Sequence, residues 1–201
     1  MRGKKTRHRR TKGPVRRRKG QDGGLSAAVV DLFCGAGGLS HGFYLKGFEI
    51  AAGVDTDERC RHAFEHNNDA IFIRRDVSNL SAAEVDALFP PGKRRVLVGC
   101  APCQPFSTYN QKNENPAWQL VSRFGVLIAK VRPDVVSMEN VPRLLGFRDG
   151  SVFKEFLRKL RRAGYHMAWD VLYAPDYGVT IPRQSRGLSK CEPLKAATRG
   201  R

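Results

Sequence analysis

The sequence predicts an α/β fold built on a doubly wound, mostly parallel sheet. Two observations carry the prediction. Short apolar runs alternate with amphipathic runs along residues 27–172, the signature of repeated strand–helix units. Glycines, acids and a cysteine then fall where successive strands end, which is the edge at which such sheets bind ligands. At 201 residues the chain can bury one sizeable core.

The elements follow in order. Residues 27–33 are a compact apolar run ending at a glycine turn, read as a buried first strand. A short helix over 38–46 stops near Gly47, and residues 48–55 form the second strand. Asp57 is placed to cap a helix running to about Asn67. Residues 71–74 are a brief third strand, and Asp76 follows its end. Ser81 and Glu84 have capping-box spacing and open a helix that Pro90, Pro91 and Gly92 terminate. Residues 95–99 are the fourth strand, leading into a long polar loop over 100–117. A helix over 119–131 and a fifth strand over 134–138 come next. Phe153, Phe156, Leu157 and Leu160 then mark the buried stripe of another helix, with a strand expected over 167–172.

Charge divides the chain. Its formal net charge is +17, yet residues 1–20 hold eleven Lys or Arg and no acid. Residues 183–201 add six bases against Glu192 alone, leaving 19 bases and 18 acids for residues 21–182. We therefore expect a disordered basic arm over 1–24, a folded domain over 25–179 and an unstructured basic tail over 180–201. The arm suits salt-dependent contact with a phosphate backbone, or is a merely solvated extension. No segment approaches the roughly 18 apolar residues of a membrane span, so no membrane association is expected. The five cysteines are odd in number and, apart from Cys100-x-x-Cys103, lack metal-site pairing. Free thiols, a cytoplasmic setting and no metal are the expectation.

Gly35, Gly37 and Gly38 let the backbone of the first turn approach a ligand closely. Asp55 follows Gly35 by 20 residues at the end of the second strand, where an acid can accept both hydroxyls of a ribose. Asp76, past the third strand, can accept from an adenine amino group. Each alone reads as an ordinary turn or surface acid. Their recurrence at three consecutive strand ends points to a nucleoside cofactor.

Cys103 lies in the loop Pro102-Cys103-Gln104-Pro105-Phe106-Ser107, just past the fourth strand. Pro102 and Pro105 stiffen that loop by fixing φ. Three readings of Cys103 stand together here: a nucleophile used as thiolate, a buried apolar thiol, or a redox partner of Cys100. A thioredoxin fold does not call for the three strand–helix units that precede it, which favours the nucleophile. Glu139, at the end of the fifth strand, reads as a partly buried acid able to donate to a ring nitrogen, or as a salt-bridged surface residue.

In their order along the chain, these residues resemble the C5-cytosine DNA methyltransferases. Residues 31–38 are similar to that family's S-adenosylmethionine loop, residues 102–107 to its nucleophile loop, and Glu139-Asn140-Val141 to its acid motif. The resemblance covers roughly 27–179 and implies a Rossmann-like methyltransferase fold. It implies that Phe33, Gly35, Ala36, Gly37, Gly38, Asp55, Thr56, Asp76, Val77 and Pro102 surround S-adenosyl-L-methionine. Cys103 would be the nucleophile, Glu139 would bond the target base, and Asn140 would help position the loop. The implied partner is double-stranded DNA with its target cytosine flipped out, and the implied setting is a restriction-modification system.

The resemblance stops abruptly after Tyr177-Gly178-Val179. The family continues with a Pro-Gln step and alternating arginines, whereas this chain reads Thr180-Ile181-Pro182-Arg183-Gln184-Ser185-Arg186. We expect a chain cut short by a frame break near codon 180, with a sheet incomplete at its C-terminus and one edge exposed. The other readings are one subunit of a split enzyme completed by a second subunit, a noncatalytic DNA-binding remnant, and an RNA or tRNA cytosine-5 methyltransferase.

Overall fold

The computed structural model of the chain describes residues 26–102, 116–178 and 192–199. Within them lie β1 (Ala27–Leu32), β2 (Glu49–Asp55), β3 (Ile71–Arg74), β4 (Arg94–Gly99), β5 (Val135–Asn140), β6 (Tyr165–His166) and β7 (Glu192–Arg199). The helices are α1 (Gly38–Leu45), α2 (Arg61–Asn68), α3 (Ala82–Asp86), α4 (Gln119–Val131) and α5 (Ser151–Arg162). The sheet order is β3-β2-β1-β4-β5-β7-β6. Strands β1 to β5 pair in parallel, and β7 runs antiparallel to both β5 and β6.

Every residue of the central strand β1 is buried, because helices cover both faces of the sheet. Alternation then divides the core in two. Val30 and Leu32 pack with Leu97, Phe124, Leu127 and Phe156 on the face covered by α3, α4 and α5. Val29 packs with Ile50, Phe64, Phe72 and Val98 on the face covered by α1 and α2. The Ser81 hydroxyl accepts from the Glu84 amide at 3.1 Å, and the Glu84 carboxylate accepts from the Ser81 amide at 2.8 Å. This is the capping box expected for α3. Asp57 caps the 3₁₀ turn Glu58–Cys60 that leads into α2.

Two expectations are corrected. Residues 167–172 form no strand; the chain pairs only over Tyr165–His166. Trp169 and Val171, the apolar residues behind that expectation, are half exposed, with Trp169 packed edge-on to Phe153. The second correction concerns the tail. Glu192–Arg199 is a strand lying between β5 and β6. The free side of β5 carries N–H and C=O groups that demand partners, and backbone pairing satisfies them without an apolar pattern. The sheet thus continues beyond β5 through β7 and β6. The basic arm, residues 180–191, and Arg183 and Arg186 among them, lie outside the described residues.

Candidate functional site

The turn after β1 is held by backbone geometry. The amides of Phe33 and Cys34 both donate to the Val54 carbonyl, at 2.9 and 3.1 Å. This forces Phe33 into the left-handed region, with φ 64°, at a cost of about 1–2 kcal/mol for a residue bearing a Cβ. Gly37 has φ 88°, and a Cβ there would stand 2.3 Å from Asn68 Nδ2 and 2.8 Å from Phe64 Cδ2. Only glycine fits. Gly35, with φ 49°, has open space where a Cβ would point. Ala36 and Gly38 are exposed beside it.

Asp55 reaches this turn directly. One carboxylate oxygen accepts from the Gly35 amide at 2.9 Å and the other from the Asp57 amide at 2.9 Å. A carboxylate offers about four lone-pair positions, so acceptor capacity remains for a ligand's hydroxyls. Thr56 follows it, exposed. Asp76 caps the turn Val77–Asn79 by accepting from the Ser78 amide at 2.8 Å, and Val77 is buried beneath it. The open space before Gly35 and the half-committed Asp55 carboxylate fit an S-adenosylmethionine-type ligand.

A second cluster stands at the ends of β4 and β5. Cys100 Sγ donates to Glu139 Oε2 at 2.6 Å. Glu139 Oε1 is buried and has no hydrogen-bond partner among the described residues. Asn140 is buried; its Nδ2 donates to the Ala101 carbonyl at 2.9 Å, and its Oδ1 accepts from the Val141 amide at 2.9 Å. The last turn of β5 is therefore tied to the residues just before Pro102, which is half-buried. Cys103 lies outside the described residues. Since β1 neighbours both β2 and β4, the two clusters share one edge of the sheet.

Several residues bearing on this site have a part in the structure that the sequence reading did not give them. Asp31 is fully buried in β1 and accepts from the Ser40 hydroxyl at 2.6 Å, while its Oδ1 has no partner among the described residues. Burial pushes its carboxyl up to about 7, opposed by the Ser40 hydrogen bond and reinforced by Asp55. An acid inside the otherwise apolar run of β1 was the available signal. Cys100, read only as a redox partner, proves to be the donor to Glu139. Cys34 is buried, and desolvation, followed by Asp31 and Asp55, drives its thiol pKa upward, away from nucleophilic use. Among the described residues, no cluster of three or more His, Cys, Asp or Glu could hold a metal ion. None of their helices is long and apolar enough to cross a membrane.

Comparison with known proteins gives a consistent result. The chain is 47% identical over 161 residues to the Type II methylase M.HgiDII of Herpetosiphon aurantiacus, covering 80% of this chain and 45% of that protein. It is 33% identical over 177 residues to the Type II methyltransferase M.XorII of Xanthomonas oryzae, covering 83% and 42%. The chain thus spans less than half the length of these two relatives. Its fold is similar to that of the S. pombe Dnmt2 methyltransferase, with TM-score 0.61, 20% identity, and coverage of 86% of this chain and 49% of that one. The family model for C-5 cytosine-specific DNA methylases matches residues 27–186, and the chain belongs to that family.

Proposed function

We propose that the chain is the catalytic part of a DNA (cytosine-5-)-methyltransferase that modifies a flipped cytosine in duplex DNA. The observation that carries this reading is the convergence of two clusters on one sheet edge. Gly35 and Asp55 are joined by a hydrogen bond at 2.9 Å, and Glu139 and Asn140 are joined to the Cys100-Ala101 step that leads to Cys103. Phe33, Gly35, Ala36, Gly37, Gly38, Asp55, Thr56, Asp76, Val77 and Pro102 are the residues assigned to S-adenosyl-L-methionine. That cofactor supplies an electrophilic methyl group carried on a sulfonium.

The chemistry asked of the chain's own residues is specific. C5 of cytosine is too weak a nucleophile to be alkylated unaided. Cys103, as thiolate, adds to C6 and places enamine character on C5. Glu139 would donate its carboxyl proton to N3 as the thiolate adds, and accept from the exocyclic amine; its buried Oε1, without a partner among the described residues, supports this role. After methylation C5 loses its proton to a base, and Cys103 leaves by elimination, restoring the ring. Asn140 keeps β5 and the nucleophile loop in register. The target atom is unreachable inside a duplex, so the base must leave the stack.

The names of the relatives support a restriction-modification setting, and with it a cytoplasmic, nucleoid-associated location. A complementing second subunit would supply the portion of those relatives that this chain does not span. The test is covalent capture on duplex DNA containing 5-fluorocytosine, with S-adenosylmethionine present and the chain alone or co-expressed with its genomic neighbour. A stable adduct that Cys103→Ser abolishes supports the assignment. Equal capture by the Cys103→Ser protein would overturn it, and methyl transfer to tRNA in preference to duplex DNA would move the substrate to RNA.

A further inference from the structure

The near balance of charge over residues 21–182 hides a polarity. Residues 141–164 alone hold seven Lys or Arg against Asp149 and Glu155, so the rest of that span carries 12 bases against 16 acids. Arg143, Arg148, Lys154, Arg158, Arg161 and Arg162 are all exposed. Three of these, Arg148, Lys154 and Arg158, line a cleft of about 540 Å³ between α4 and α5, together with Trp118, Ser122 and Ser151.

Both helices begin at the carboxyl edge of the sheet, after β4 and β5, so the cleft opens beside the candidate site. Trp118 stands where the chain returns from the loop that carries Cys103. The Arg148 guanidinium lies 4.5 Å from the Trp118 ring centroid, which holds the cation in the lining of the cleft. Lys154 reaches back to the Asp149 carbonyl at 3.3 Å, keeping its ammonium near the first turn of α5. The positive end of that helix adds to the field. Glu155 is the one acid in the lining among the described residues; it pairs with Arg158 and, at 3.8 Å, with Lys159. Lys159 also donates to Ser122 at 2.6 Å, and burial, followed by the charge of Arg158, pushes its ammonium below the usual lysine range.

We propose that the α4–α5 cleft, with Arg148, Lys154 and Arg158 as its cations, takes the phosphodiester backbone of duplex DNA beside the flipped base. The inference rests on the methyltransferase reading and adds a contact surface to it. A cleft with this cation set and a tryptophan in its lining suits a polyanion, and its position at the carboxyl edge of the sheet, the edge of the candidate site, suits the backbone of the substrate itself.

Lysine footprinting of the full chain tests it, with acylation of each lysine followed by peptide mass spectrometry with and without a duplex. Lys154 is expected to acylate several-fold more slowly with DNA bound. Lys93, paired with Glu49 at the opposite edge of the sheet, is the reference that keeps its rate. In parallel, an Arg148→Gln/Arg158→Gln variant should show a salt dependence of binding shallower by roughly two in log–log slope, about 0.9 for each phosphate no longer neutralised. Protection of Lys154 with an unchanged slope would mean shadowing by DNA held elsewhere, and would overturn the proposal. Protection confined to Lys4, Lys5, Lys12 and Lys19 would also overturn it while leaving the methyltransferase reading intact. Absence of any protection and of DNA binding at low salt would remove both.

Discussion

Cys100 donates its thiol hydrogen bond to Glu139 across the ends of β4 and β5, at 2.6 Å. The bond occupies Oε2 and leaves the buried Oε1, unpaired among the described residues, as the oxygen that can meet a base. Cys100, which the Cys100-x-x-Cys103 spacing suggests as a redox partner, is instead hydrogen-bonded to an acid, and under the proposed function Cys103 alone would act as the nucleophile.

Cys100→Ala removes that donor. A partly buried carboxylate left without it should cost about 1–3 kcal/mol of stability, read as a lower urea midpoint at constant slope. Cys100→Ser keeps a donor at the same place and should recover most of the loss. If alanine and serine variants unfold together at the wild-type midpoint, Cys100 does not hold Glu139.

The two glycines of the first turn should fail in different ways. Gly37→Ala drives a Cβ into Asn68 and Phe64 at 2.3 and 2.8 Å, with φ 88°. Overpacking and left-handed strain together should cost about 2–5 kcal/mol. Gly35→Ala meets nothing within 4 Å, so its stability loss should be only the left-handed strain at φ 49°, about 1–2 kcal/mol. Its methyl would instead enter the space assigned to the cofactor. Calorimetric titration with S-adenosylmethionine or sinefungin should therefore show binding weakened about tenfold or more for Gly35→Ala in a protein that is still folded, roughly 1.4 kcal/mol. Wild-type affinity in that variant would remove the cofactor from this turn.

Asp31 makes stability depend on pH. Its carboxyl rises from 3.8 to about 7 in the fold because burial disfavours the charge. Below pH 4 the group is protonated in both states and exacts no penalty. Between about pH 4 and 7 the unfolded chain ionises while the folded one does not, so stability falls as pH rises and levels off above 7. The shift corresponds to about 4 kcal/mol at 1.36 kcal/mol for each pH unit. Asp31→Asn cannot ionise, so the wild type should lose ground to it by about that amount between pH 4 and pH 7.5 in urea unfolding. A difference that is flat with pH would mean Asp31 is charged in the fold.

Much of this architecture was legible in the residues, for physical reasons that also mark where it was not. The first five strands announce themselves because β1 and β4 are apolar enough to be buried on both faces and because Gly35, Asp55, Asp76 and Glu139 punctuate their ends. Ser81 and Glu84 specify their cap by local chemistry alone. Strand β7 was illegible because its formation depends on the unpaired side of β5, a tertiary demand that the sequence of 192–199 does not display. Trp169 and Val171 misled in the opposite direction. Apolar composition reads as a strand, yet Trp169 packs on Phe153 with no strand pairing there. The Cys100–Glu139 bond joins residues 39 apart and needs the β4–β5 pairing to be seen.

Asn140 gives the sharpest separation of a structural tie from a chemical role. Its Nδ2 bonds the Ala101 carbonyl at 2.9 Å, and its Oδ1 takes the Val141 amide, both at a buried position. Asn140→Asp preserves size and the Oδ1 acceptor but replaces the donor with an oxygen facing a carbonyl. That repulsion, with the Ala101 carbonyl left unpaired, should cost about 2–4 kcal/mol near neutral pH. Protonation restores a donor, so the deficit should shrink on acidification, whereas a variant that loses only packing has a deficit that does not change with pH. Asn140→Ala, which loses the same bond without gaining charge, should show a deficit that stays constant with pH. Urea unfolding of the two variants at pH 4.5 and 7.5 reads the difference directly. Parallel pH profiles for both would show that the Asn140–Ala101 bond does not tie β5 to the loop that carries Cys103.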